Sequence, residues 1–257
     1  IKDNTDIFII IIVVFFSGEL IWRDRDYKIN EVIDATAHTS FISLAAKALS
    51  LVSIATILNL FFIVIGVLYQ LLNGYTRIEL DVYLLDFFYD NLPLFFTFAG
   101  VTILAQVLSS NKYIGYFVAV LILLVWEIVL NVLDVSSNML NIGGGASVQY
   151  SDMNGFGPGV KAALWFNLYW VLFSILALLI AGALWSRGSK SSLLSRLKTA
   201  RKEVPKSYRG VIAIAAVVWV GVACFVYYNT QVLNPYLSGD TAEQLSADYE
   251  KKYSKYR

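Results

Sequence analysis

The chain has 257 residues, of which 58% are apolar and only 15% are charged, and its mean hydropathy is +0.63. Soluble domains carry nearer a quarter charged residues, so this composition excludes an ordinary water-soluble enzyme. A net charge of +1 gives no field that would attract nucleic acid, and no nucleic-acid partner is expected. One cysteine and one histidine exclude disulfide frameworks, multi-cysteine zinc sites and the HExxH metallopeptidase helix.

Six apolar runs have about the length needed to cross a lipid bilayer as helices, which takes roughly 20 residues. They lie at residues 7–21, 44–72, 92–108, 113–133, 162–185 and 211–228. The runs are much longer than the alternating strands of an outer-membrane barrel, which have about ten residues. The sequence therefore predicts an all-α polytopic membrane protein with about six transmembrane helices.

Lysine and arginine are distributed unevenly among the loops between these runs. If the loop after the first run is cytoplasmic, thirteen of the twenty basic residues lie on the cytoplasmic side. The opposite orientation would translocate the basic cluster at residues 187–209, which the positive-inside rule disfavours. We therefore predict that both ends of this chain lie outside the cytoplasm.

Residues 22–38, after the first run, combine apolar residues at helical spacing with charges at the other positions. This pattern predicts an amphipathic cytoplasmic helix. It is either a solvated helix at the membrane interface or a helix whose polar face docks a cytoplasmic partner.

A second amphipathic segment covers residues 186–209, and the helix within it is predicted to end at Pro205. One face carries Leu193, Leu194, Leu197 and Ala200, and the other carries Arg196, Lys198, Arg201 and Lys202. Basic residues on one face and leucines on the other are typical of a helix that lies on anionic lipid. Lipid anchoring is the favoured interpretation, and partner binding is the alternative.

Two loops on the predicted outer side could suggest ligand sites, and both are better explained without one. Residues 75–90 contain four acidic residues but lack the spacing of a calcium loop, so a short surface helix with solvated charges is predicted. The glycine-rich residues 134–159 follow no strand and precede no Gly-Lys-Ser/Thr, so a flexible loop is predicted instead of a phosphate site.

Few polar residues occur within the apolar runs: Asn59, Gln106, Glu127, Asn131 and Asn167. An ionisable residue at membrane depth is a candidate functional residue. Glu127 could line a translocation path, or it could pair with a neighbouring helix or extend outward to the interface. With a single carboxylate, no proton-relay chain is visible.

Several stretches, in chain order, resemble the ABC-2-type exporter permeases, and they look closest to the bacterial permeases fused to an M1-family aminopeptidase. The stretches are residues 18–26 (GELIWRDRD) continued by 30–35 (NEVIDA), then 150–157 (YSDMNGFG) and 184–188 (LWSRG). The chain departs from the family at Ala37, where a proline is usual, so the end of the helix over residues 22–38 is less defined.

The resemblance implies a larger inner-membrane protein of which this chain, which starts at Ile1 and not at Met, is the second membrane half. Residues 1–228 would form the permease domain, and residues 229–257 an extracytoplasmic connector to a peptidase domain. No cofactor is expected in this chain, because it has no Walker A sequence, so ATP and Mg²⁺ would bind to separate ATPase subunits. Zinc aminopeptidase activity would belong only to the fused domain, and no catalytic residue is predicted here. The other expected partners are another permease half and the lipid bilayer.

In this interpretation, closure of the ATPase subunits pushes on the helix over residues 22–38 and tilts the helices that line the translocation path. The residues expected to transmit the push are Glu19, Arg23, Arg25, Asp26, Glu31 and Asp34. Two other functions remain open from the sequence: an ion-coupled secondary transporter, or a membrane anchor for the peptidase without transport.

Overall fold

The computed structural model describes residues 2–36, 40–132, 137–146, 148, 150–151, 153–157, 159–185, 193–234 and 239–254. The α-helices formed by these residues are α1 (Lys2–Asp26), α2 (Asn30–Asp34), α3 (Ser40–Leu72), α4 (Leu80–Asp86), α5 (Leu92–Leu108), α6 (Lys112–Val120), α7 (Trp126–Val132), α8 (Gly159–Leu184), α9 (Leu193–Glu203), α10 (Lys206–Tyr227) and α11 (Gly239–Tyr253). π-Helical turns occupy Phe87–Asn91, Leu121–Val125 and Tyr228–Leu233.

Six helical stretches of the described chain are long and apolar enough to cross a membrane. They are Thr5–Asp26, Ser40–Leu72, Leu80–Leu108, Lys112–Leu130, Gly159–Leu184 and Lys206–Leu233. The described residues form no strand beyond an isolated bridge between Ser151 and Gly155. The predicted all-α polytopic fold is therefore confirmed.

Helix α5 is the centre of the bundle and packs against α1, α3, α6 and α8. Gly100 permits a close approach to α8, because a Cβ at that position would lie 1.9 Å from the Ser174 Oγ. The Ser174 hydroxyl donates to the Phe96 carbonyl at 2.8 Å. Small residues and hydroxyl hydrogen bonds are common where membrane helices associate, since burial from water does not drive them together.

The third span begins earlier than its apolar run suggests. Helix α4 continues through the π-helical turn Phe87–Asn91 into α5, so the separate surface helix predicted within residues 75–90 is part of the span. Pro93 has no N–H to donate to the Tyr89 carbonyl four residues earlier. The Asn167 side-chain amide of α8 donates to that carbonyl. A neighbouring helix therefore supplies the hydrogen bond that the proline removes.

The segment predicted as one amphipathic helix, residues 22–38, forms two helices in its described part. Residues 22–26 are the end of α1, and Lys28 follows with a φ of 58°, in the left-handed region where a right-handed helix stops. The Ile29 N–H donates to the Asp24 carbonyl at 3.0 Å and the Lys28 N–H to the Arg25 carbonyl at 3.1 Å, which is a Schellman ending. Helix α2 then spans only Asn30–Asp34. The prediction of a continuous helix is therefore wrong, and residues 37–39 lie outside the described chain.

The glycine-rich loop contacts the bundle in one of its described stretches, residues 137–146. Trp170 Nε1 donates to the Gly144 carbonyl at 2.9 Å, and Asn138 Nδ2 donates to the Gly145 carbonyl at 2.8 Å. Gly143 has a φ of 73° and lies against Leu94, where a Cβ would come within 2.6 Å of Cδ1. Part of the predicted flexible loop thus packs on the bundle, against the start of α5 and against Trp170 of α8.

Candidate functional site

One end of the bundle brings together the polar residues of the stretch at residues 18–26 and basic residues of other spans. The ends of α1, α5 and α8 meet the starts of α3, α6 and α10 there, and we call this the basic end. Hydrogen bonds join the segments across it, from Arg196 Nη1 to the Val107 carbonyl at 2.7 Å and from the Tyr208 hydroxyl to the Leu179 carbonyl at 2.9 Å. The predicted coupling residues of α1 all lie at this end.

Lys112 joins α6 to two acidic residues of α1. Its Nζ lies 3.4 Å from Glu19 Oε1 and 3.2 Å from Asp26 Oδ2, and the Tyr116 hydroxyl donates to Glu19 Oε1 at 3.1 Å. Glu19 and Asp26 are two helical turns apart, so they share a face of α1. Asn111 fixes the start of α6 as its N-cap, because its Oδ1 accepts from a backbone N–H at 2.9 Å.

A second ion pair joins α1 to α3 beside two tryptophans. Lys47 Nζ lies 2.8 Å from Asp24 Oδ2, and the two side chains are only 12% and 17% exposed. The Arg25 guanidinium lies 5.1 Å from the ring centroids of both Trp22 and Trp185, and Lys47 Nζ lies 5.4 Å from the Trp185 ring. Asp24 thus neutralises Lys47, and both Lys47 and Arg25 lie within cation–π distance of the Trp185 ring.

The buried centre of the basic end is a hydrogen bond between Trp22 and Gln106. Trp22 Nε1 donates to Gln106 Oε1 at 3.0 Å, and the two residues are 4% and 0% exposed. Gly115 of α6 makes room for this bond, since a Cβ there would lie 1.9 Å from Gln106 Oε1. The tryptophan indole and the glutamine amide together fix the distance between α1 and α5.

Arg196 of α9 is oriented opposite to the prediction. Its side chain was expected on the solvated basic face, but the residue is 7% exposed and donates to the Val107 carbonyl, whereas Leu197 is 54% exposed. Burial lowers the pKa of Arg196 from its ordinary value. The carbonyls at the end of α5 have no partner within their own helix, so a buried guanidinium can satisfy one of them. The predicted division of α9 into faces is therefore wrong at these two positions.

The predicted coupling residues fall into distinct groups. Glu19 and Asp26 pair with Lys112, Arg25 lies between two tryptophan rings, and Arg23 is exposed and forms no ion pair with a described residue. The side chains of Glu31, Asp34 and Glu127 lie outside the part of the structure that is described, so their predicted roles stay predictions.

Five residues that hold this site together from other spans were not predicted to take part in it: Lys47, Gln106, Lys112, Tyr116 and Trp185. Each lies near the end of an apolar run, which is a visible signal. Nothing in a single sequence shows which of them pair, because the partners of Glu19 are more than ninety residues away along the chain.

The chemistry of the basic end is that of a structural junction between helices. The described residues contain no group of histidine, cysteine and acidic side chains that could hold a metal ion. Its ion pairs join helices to one another and link α1 to α3 and α6.

Comparison of this chain with family models, with curated proteins and with solved structures finds no match. Its function must therefore be inferred from its own residues and their geometry.

Proposed function

We propose that this chain is the membrane-spanning half of an ATP-driven ABC-2-type exporter. One observation carries the proposal: the stretch that resembles these permeases, residues 18–26, makes polar or cation–π contacts with four other spans or their ends. These contacts reach Lys47 at the start of α3, Gln106 in α5, Lys112 in α6 and Trp185 directly after α8. A junction of this kind suits a segment that transmits movement of the ATPase subunits to several transmembrane helices.

The mechanism follows from these contacts. Two ATPase subunits, which bind ATP and Mg²⁺, would contact the exposed polar surface at the end of α1, where Arg23 is available. Movement of that end would pull α6 through Lys112 and α3 through Lys47, because each is tied to α1 by an ion pair. A second permease half would complete the translocation path between the two sets of helices.

The resemblance to ABC-2-type permeases implies a bacterial inner-membrane location, and the charge distribution supports an orientation with the basic end in the cytoplasm. In that orientation the tail beyond α10 lies outside the cytoplasm. Helix α11 (Gly239–Tyr253) has charged and tyrosine side chains that are exposed throughout its described part. It suits a helical connector to an extracytoplasmic domain such as the fused peptidase.

The proposal is tested by copurification of the full-length protein with an ATPase subunit from its own cell. Arg23→Glu should reduce both copurification and substrate-stimulated ATP hydrolysis several-fold, since it reverses an exposed charge at the docking surface. The matched control is Arg77→Glu, which reverses an exposed basic residue at the opposite end of the bundle and should change neither quantity.

Thermal melting separates a docking effect from unfolding, because an exposed substitution should leave the melting temperature within about 1–2 °C of the parent's. Transport driven by an ion gradient with no associated ATPase would favour the secondary transporter. A peptidase that works normally in cells, with neither an ATPase partner nor transport, would favour the membrane anchor.

A further inference from the structure

A pocket of about 590 Å³ lies between the start of α8 and the end of α10, at the end of the bundle opposite the basic end. This volume is within the range of about 300–1,000 Å³ that is common for small-molecule sites. No part of the proposed exporter mechanism uses this pocket.

The walls of the pocket are mainly apolar and aromatic. Trp165 of α8 and Phe225 of α10 line it, with ring centroids 4.4 Å apart, and Phe166 and Val226 are 3% exposed at its base. Surfaces of this composition accept a hydrocarbon chain, because the chain loses no hydrogen bond on entering.

The rim of the pocket is polar and carries one charge. Among the described residues that line the pocket, Lys161 is the single charged one. Lys161 is exposed and forms no ion pair with any residue in the described chain. Asn229 and Thr230, in the π-helical turn after α10, also line the pocket, and their side chains donate to carbonyls one turn earlier. A cation beside an apolar cavity matches a ligand with an anionic head and a hydrocarbon chain.

We propose that this pocket binds an anionic phospholipid from the surrounding membrane. The headgroup phosphate would pair with Lys161, and part of an acyl chain would lie against Trp165 and Phe225. The bilayer is the source because the walls belong to two membrane spans, and because α10 packs mainly on α8 and leaves its other faces exposed. This proposal is independent of the exporter mechanism.

The test uses tryptophan quenching by brominated lipids in the full chain, reconstituted in bilayers of phosphatidylcholine. A minor fraction of brominated phosphatidylglycerol, or the same fraction of brominated phosphatidylcholine, is added. The Trp165 signal is obtained by subtracting the signal of Trp165→Phe. We expect several-fold stronger quenching of Trp165 by the anionic lipid. Lys161→Gln should remove that difference, whereas Arg77→Gln should retain it.

Filling the cavity gives a second readout that does not depend on charge. Ala162 lines the pocket, so Ala162→Phe should lower quenching by the anionic lipid, whereas Leu164→Phe, at an exposed position outside the lining, should not. Equal quenching by the two lipids, or unchanged quenching in Lys161→Gln, would overturn the proposal. Quenching of Trp165 by a brominated free fatty acid, with equal quenching by the two phospholipids, would also overturn the proposal. If Ala162→Phe fails to fold, as judged by its melting curve, the Lys161→Gln result decides.

Discussion

Replacement of Asp24 by asparagine should weaken the bundle more than the loss of an exposed charge at the basic end does. The substitution keeps the size of the side chain but removes the negative charge that faces Lys47 at 2.8 Å. Lys47 then remains beside the Trp185 ring without the carboxylate that neutralises it. The variant therefore tests whether the ion pair, and not only its packing, holds α1 to α3.

The magnitude follows from the burial of the pair. Exposed ion pairs contribute about 0.2–1 kcal/mol, whereas breaking a buried pair from one side costs about 3–5 kcal/mol. The Asp24 and Lys47 side chains are 17% and 12% exposed, between these limits. We expect Asp24→Asn to lower the free energy of unfolding by about 2 kcal/mol, and Lys47→Met, which keeps the aliphatic stem, by a similar amount.

The free energy of unfolding is measured in mixed detergent micelles in which the fraction of a denaturing detergent is raised stepwise. Both single variants and the double variant are measured. The double variant should lose about 2 kcal/mol, not the sum of about 4, because removing both charges leaves none unpaired. Glu79→Gln, which neutralises an exposed acid at the other end of the bundle, should change the free energy by less than about 0.5 kcal/mol.

The Lys112–Glu19 pair serves as an internal comparison for the coupling energy of the Asp24–Lys47 pair. Its charged atoms lie 3.4 Å apart, and its side chains are 24% and 43% exposed. Its coupling energy should be clearly smaller than that of the Asp24–Lys47 pair, because solvent screens exposed charges. If the Asp24–Lys47 coupling is no larger than this, the reasoning from burial to energy is wrong for the basic end.

Three further predictions concern other parts of the chain. With the native cysteine replaced, an impermeant thiol reagent should label Ser246→Cys in intact cells but not Lys198→Cys; the reverse pattern would invert the proposed orientation. Gly115→Ala should lower stability by about 1–3 kcal/mol by displacing the buried glutamine amide, whereas Gly66→Ala, whose added methyl meets open space, should not lower it; equal melting curves would contradict this. Asn167→Ala should cost about 1 kcal/mol in the same unfolding assay, since it leaves the carbonyl opposite the proline unsatisfied, and no loss would mean that water replaces the amide.

The spans were predictable because each must present an unbroken apolar surface along its whole length, and a run of consecutive apolar residues shows this property directly. The predicted run at residues 44–72 and the helix Ser40–Leu72 differ only in the four residues at the N-terminus of the helix. The third span was predicted too short. A proline such as Pro93 indicates the start of a helix as long as the helices packed against it are unknown. The side chain of Asn167 allows the helix to begin earlier, and it comes from a different span.

At the candidate site, the sequence by itself identified which end of α1 is polar and which residues of that end carry charge. It could not show that Arg25 and Trp22 turn inward while Arg23 stays exposed, because all three are compatible with a helix end at an interface. Only the tertiary structure decided this, since Gln106, Lys112 and Trp185 come from spans far along the chain. The orientation of Arg196 was likewise not predictable from the sequence. Helical periodicity predicts a charged face, but the guanidinium lies in the bundle because it donates to a carbonyl at the end of α5.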